Sequence, residues 1–187
     1  MKESSRLISV LTIVCLIAAL AVSIANDLTK DAIAESREKQ KLSAVCDVLP
    51  EGASDVEEKI LVQTLAEGNI VSNTYYKTET GYAIPITVSN GYGGDISLMI
   101  GFSEDVLWSY KVLKHSETPG LGAHIKDSFV ENVERKPIFN TNWAVDKDGG
   151  DIPPITAATI SSRAVCDAIK QGVKILKTIE SGGVLSE

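Results

Sequence analysis

The stretch Ile155-Thr156-Ala157-Ala158-Thr159-Ile160-Ser161-Ser162-Arg163 sets hydroxyls in a turn of small residues, directly before an apolar-periodic run. An anion, and a phosphate above all, suits such a place. A helix that starts there offers N–H groups without intrahelical partners and the positive end of its dipole. Ala157 and Ala158 let another group come close to the backbone, and Arg163 adds a cation one turn in. The spacing predicts a helix from Arg163 to about Ile179, with Ser161 and Ser162 as its N-caps. Taken alone, the plainer reading is a helix cap and nothing more, Thr159 included.

Upstream lies a second segment, His115-Ser116-Glu117-Thr118-Pro119-Gly120-Leu121-Gly122. Pro119 fixes φ, while Gly120 and Gly122 permit a tight surface with little side chain. Such a loop can lie against a flat ring and offer it N–H groups. A third segment, Gly91-Tyr92-Gly93-Gly94, reads as a turn between strands. It lacks the G-x-G-x-x-G spacing of a dinucleotide fingerprint and does not open a helix, so NAD binding is not expected. His115 and Glu117 are two apart and would point to opposite faces of a strand, so they are not read as an acid/base pair. No nucleophile elbow is visible, and no residue is assigned a catalytic role.

In this order, and behind one apolar N-terminal segment, the three motifs resemble the FMN-binding domain of the G subunits of Rnf complexes. The same domain occurs in the C subunits of sodium-pumping NADH:quinone oxidoreductases. The resemblance runs from about Leu7 to Val173. In that family the last threonine of a Thr/Ser-Gly-Ala-Thr motif carries FMN through a phosphoester, and the matching residue here is Thr159. The family motif usually has glycine where this chain has Ala157, and aspartate where it has Pro153; the nearest acid is Asp151. The resemblance implies that FMN is bound by Glu117, Thr118, Gly120, Leu121, Gly122, Thr156, Ala157, Ala158, Thr159, Ser161, Ser162 and Arg163. It implies an electron-transfer subunit with covalent FMN in an ion-pumping ferredoxin:NAD oxidoreductase, passing single electrons between partner cofactors. No complete catalysis is expected of this chain alone. The implied partners are the other Rnf proteins, including the A, D and E membrane subunits, and a flavin transferase for maturation. The alternatives are the equivalent flavin protein of the quinone-reducing pump, which is typically longer, and a membrane-anchored binding or structural module without a redox role.

Composition narrows the classes further. Net charge is −7 in 187 residues, with no Lys/Arg cluster after the apolar segment. Nucleic-acid binding, which rests on phosphate neutralisation, is not expected. Cys15, Cys46 and Cys166 have no paired spacing, and there are only two histidines, His115 and His124, so no metal site is assigned. Tyr92, Trp108, Tyr110 and Trp143 are of the type that stacks on a flavin, but aromatics more often pack a core. Tyr92, inside the glycine-rich turn, is the least core-like of them.

These residues must be held by a framework. Ile70–Tyr76, Gly81–Val88, Ile96–Phe102 and Val106–Leu113 read as strands, with connections too short for parallel crossovers. Asn140–Val145 reads as a further strand, Lys147–Gly150 as a turn and His124–Glu134 as a short helix. Val56–Leu65 carries no clear signature. Val165, Ala168, Ile169, Val173 and Leu176 have helical spacing. The expected class is α+β, a twisted antiparallel sheet with packed helices over residues 51–187. Residues 26–50 are expected to form a helical stalk, continuous with the preceding helix or capped at Asn26-Asp27-Leu28-Thr29.

Leu7–Ala25 is nineteen residues without a charge. At about 1.5 Å per residue such a helix spans roughly 28 Å, close to a hydrocarbon core of about 30 Å. A cleaved signal peptide is the rival, since Ser23-Ile24-Ala25 suits a peptidase, but the apolar run is longer than a usual signal core. Residues 1–25 are therefore expected to be a retained single-pass anchor in the cell membrane, in contact with lipid. Lys2 and Arg6 precede the run and Asp27 follows it, which puts the N-terminus in the cytoplasm and the main domain outside. Protease added to intact cells or protoplasts is expected to digest that domain. Digestion only in inside-out vesicles would reverse the orientation.

Overall fold

A computed structural model describes residues 2–50, 55–64 and 70–181. They divide into two compact units, Met1–Gln40 and Lys41–Glu187. A long helix, α1, runs over Lys2–Asp47. Its apolar N-terminal part is long and apolar enough to cross a membrane, and Leu7, Leu11, Leu16 and Leu20 all stand exposed on it. Asn26–Thr29 interrupts nothing: the Thr29 hydroxyl donates back to the Ala25 carbonyl within the helix.

The second unit is built on a sheet of six strands in sequence order, every neighbouring pair antiparallel. The strands are β1 (Glu57–Thr64), β2 (Ile70–Lys77), β3 (Tyr82–Val88), β4 (Ile96–Ser103), β5 (Val106–Lys114) and β6 (Lys136–Pro137). Alternation decides which side chains face which way. Ile84, Ile86 and Val88 of β3, with Ile96, Leu98, Ile100 and Phe102 of β4, join one buried cluster. Helix α3 (Thr159–Glu180) covers them with Ala164, Val165, Ala168, Ile169, Val173 and Leu176. Residues of opposite parity, Ala83 and Met99, join Tyr76 in a second cluster, completed by Ala44, Val45, Val48 and Leu49 at the end of α1. Thus both faces of the sheet centre are covered, each by a helical segment.

Several local expectations change. β1 occupies the stretch without a clear signature. It is an edge strand, paired only with β2 in the sheet order, and an edge accepts charges such as Glu57, Glu58 and Lys59. Asn140–Val145 is not a strand. Trp143 turns inward there, its Nε1–H donating to the Ile138 carbonyl at 3.0 Å, and Val145 makes only an isolated parallel bridge with Ile152. His124–Glu134 splits into a 3-10 turn, Gly122–Lys126, and one short helix, α2 (Val130–Val133). Tyr110 of β5 ties the 3-10 turn to the sheet, donating to the Ile125 carbonyl, and burial pushes its phenol well above the ordinary value.

The end of α1 lies so close to β4 that a Cβ on Gly101 would fall on the Val48 carbonyl. Gly101→Ala is expected to destabilise the domain by about 2 kcal/mol, as overpacking does. A thermal melt should fall by roughly 4–8 °C at this chain length. An unchanged melt would mean that Val48 is not seated against the strand.

Candidate functional site

The antiparallel order brings the β3–β4 turn and the exit of β5 to one end of the sheet. After Lys114 the chain turns inward, and Glu117 is 4% exposed. Its Oε1 accepts the Gly93 N–H at 2.9 Å, and its Oε2 accepts the Ser161 hydroxyl. Its own N–H donates to His115 Nδ1 at 3.2 Å. The Thr118 carbonyl then accepts from Leu121 N–H and Ala123 N–H, closing a tight loop whose tip, Gly120, stands at φ 75°.

Beside this junction lies a cavity of about 440 Å³. That lies within the roughly 300–1,000 Å³ of small-molecule sites. Glu117, Thr118, Leu121 and Gly122 line it from the loop; Ala157, Ala158, Thr159 and Ser161 line it from the start of α3. Two segments far apart in sequence therefore share one wall. Tyr92 and Ile160 also line it and were not among the expected contacts. Tyr92 is 69% exposed, so it does not serve the core. Its place in a glycine-rich turn was the only hint in the sequence. Tyr110 and Trp143 are core residues, and Trp108 stacks under the Arg135 guanidinium at 4.9 Å.

Four expected residues lie off this wall. Gly120 and Thr156 are exposed at its margins. Ser162 is buried; its hydroxyl donates to the Ala158 carbonyl at 3.0 Å and accepts the Ile155 N–H at 3.0 Å, which fastens the turn to the helix. Arg163 makes a two-pronged pair with Asp148, Nε to Oδ2 at 2.6 Å and Nη2 to Oδ1 at 2.7 Å. That guanidinium holds the Asp148 carboxyl below its ordinary value. Arg163 is thus engaged with a neighbouring turn, and none of the described residues lining the cavity is cationic.

The start of α3 also differs from expectation. The helix begins at Thr159, two residues before the serines expected as caps, and the capping position is Ala158, without a side-chain cap. Ser161 and Ser162 sit inside the first turn with their hydroxyls used elsewhere. In that turn the Ser162 N–H donates to the Ala158 carbonyl at 3.1 Å, whereas those of Thr159, Ile160 and Ser161 come before the first acceptor of the helix. These three are the donors that the helix start could offer an anion, with the Thr159 hydroxyl beside them. Apolar Tyr92, Leu121 and Ile160 offer surface to a flat ring. This donor set and shape fit a flavin mononucleotide. Asp151 is engaged away from it, accepting the Asn142 N–H at 2.7 Å, and Pro153 offers its carbonyl to Asn132.

Comparison with known proteins gives the family. Residues 91–174 match the FMN-binding domain family, a span that contains all three motifs. The chain is 37% identical to the G subunit of the ion-translocating oxidoreductase complex of Aliivibrio fischeri, over 95% of this chain and 91% of that protein. The Photorhabdus laumondii G subunit is 35% identical, over 84% of this chain and 82% of the relative. That of Cereibacter sphaeroides is 31% identical, over 92% and 85%. This chain belongs to the G-subunit family of Rnf ion-translocating oxidoreductase complexes.

The family's usual glycine at position 157 now has a physical reason. Ala157 stands at φ 62°, in the left-handed region. A Cβ there costs roughly 1–2 kcal/mol, which glycine avoids. Ala157→Gly is expected to raise stability by about 1 kcal/mol, after glycine's greater unfolded-state entropy is allowed for. The melting temperature should rise by roughly 2–4 °C. A fall would show that this turn is not left-handed in solution.

Proposed function

We propose that this chain is the electron-transfer subunit of an Rnf-type ion-translocating oxidoreductase and carries FMN as a phosphoester on Thr159. The observation that carries this reading is the shared cavity. Thr159, at the flavin position of the family motif, lines the same cavity as the Glu117–Gly122 loop. The helix-start N–H groups would hold the phosphate oxygens in place of a cation. Tyr92, Leu121 and Ile160 would flank the ring, and Thr118 would offer it polar atoms. Bound FMN supplies the redox chemistry; the chain binds, orients and tethers it.

A covalent tether suits a carrier outside the cytoplasm, where no free FMN pool exists. In this reading α1 anchors the chain in the cell membrane, N-terminus inside. A flavin transferase loads Thr159, and electrons pass singly between cofactors of partner proteins, the A, D and E membrane subunits among them. The names and near-complete coverage of the relatives support the Rnf complex over the quinone-reducing pump.

Peptide mass mapping of the membrane-extracted chain tests the tether. FMN mass is expected on the peptide containing Thr159 and absent from Thr159→Ala, with electron transfer through the complex lost. That variant should stay folded, since the hydroxyl makes no cap bond and alanine favours a helix: the cost is about 1 kcal/mol or less. FMN on Thr156, Ser161 or Ser162, or on no residue, would sink the assignment.

A further inference from the structure

We propose that Glu117 is a positioning residue: its buried carboxylate bridges the Tyr92 turn to the start of α3 and so sets the width of the cavity. This deepens the flavin reading and rests on it for the ligand. Three observations converge. First, each carboxylate oxygen has its own partner on a different segment, Gly93 N–H at 2.9 Å on one side and the Ser161 hydroxyl on the other. Gly93 follows Tyr92, and Ser161 lies two residues after Thr159, so the bridge ends beside both residues that would hold the flavin. Second, two glycines leave room for this one group. A Cβ on Gly91 would approach Glu117 Oε1 to 2.7 Å, and a Cβ on Gly122 would fall on Oε2 and come within 2.5 Å of the Ser161 hydroxyl. Third, Gly93 is an exposed turn residue whose amide is nevertheless directed to the buried carboxylate, so the turn is held at that point. A carboxylate at 4% exposure is costly to bury without such bonds. The role is therefore structural support of a specific gap rather than contact chemistry with the ring.

Chemistry distinguishes shape from charge. A glutamine at this position can accept from Gly93 N–H through its oxygen and donate to the Ser161 oxygen through its amide. It would keep the bridge and lose the charge. Alanine loses both bonds, and Ser161→Ala loses one.

The test uses the full chain in detergent, in the Thr159→Ala background, so that it does not depend on flavin. Amide hydrogen exchange is read at Gly93 against Ile100 in β4 as an internal standard. In the parent the Gly93 amide should exchange slowly although the residue lies in an exposed turn. Glu117→Ala should speed it by roughly ten- to hundredfold, the loss of one hydrogen bond to a charged acceptor, with Ile100 unmoved. Glu117→Gln should stay within about tenfold of the parent. In the Thr159 chain, visible circular dichroism of bound flavin should collapse in Glu117→Ala and return in Glu117→Gln. Fast exchange at Gly93 in the parent, or equal exchange in parent and Glu117→Ala, would overturn the proposal. So would a glutamine variant that behaves like alanine. If Glu117→Ala does not fold, Glu117→Gln and Ser161→Ala decide the matter, with Ser161→Ala expected to weaken flavin dichroism and leave Gly93 protected. Loss of FMN from Thr159 with the exchange pattern intact would refute the flavin reading and leave the bridge standing.

Discussion

One buried carboxylate ties together three segments of this fold. Glu117 is 4% exposed, and among the described residues its carboxylate is satisfied by Gly93 and Ser161, which are distant in sequence and on different elements. Those partners are available only if the β3–β4 turn, the loop after β5 and the first turn of α3 meet at one end of the sheet. The antiparallel order guarantees the first two, because alternate strands reverse direction and return the chain to the same end. Packing of α3 across β3 and β4 brings the third.

That packing draws on both faces of the sheet. Alternation in β3 and β4 sends isoleucine, leucine and phenylalanine to α3, and the residues between them to Val45, Val48 and Leu49 at the end of α1. The Lys111–Asp47 ion pair joins that helix end to β5, but both groups are about half exposed, so its contribution is small beside the burial. A site framed by secondary elements that are packed on two sides holds its geometry better than one on free loops. Cys166 belongs to this core rather than to the site. Burial pushes its thiol up to about 12, so it remains a thiol at neutral pH.

In the proposed function, anion binding would rely on the backbone. Arg163 is committed to Asp148, and the described residues of the cavity lining include a carboxylate but no cation. In the proposed tethered state this arrangement is sufficient, because a phosphoester needs orientation rather than affinity. Helix-start amides provide orientation without the freely rotating stem of a lysine. The left-handed Ala157 bends the chain just before that start, and Thr159 lines the cavity shared with the loop.

Sequence by itself determined the apolar helix, the antiparallel strands β2 to β5 and the amphipathic run of α3, because each is written in a local period of two or 3.6 residues. Turn chemistry and resemblance together singled out the loop at Glu117–Gly122 and the segment at Thr156–Arg163. Other features depended on partners remote in sequence. The edge strand β1 has a mixed composition that only its pairing with β2 resolves, and Asn140–Val145 looked like a strand because Trp143 is apolar for reasons of inward packing. Ser161 has the composition of a cap, yet its hydroxyl bonds a carboxylate 44 residues away. Arg163 has the charge for a phosphate, yet Asp148 lies closer. Which polar group faces which is a matter of distance in space, and no local period encodes it. The tertiary structure alone decided that Glu117 points inward as a bridge, that Tyr92 stands at the cavity, and that α3 begins at Thr159.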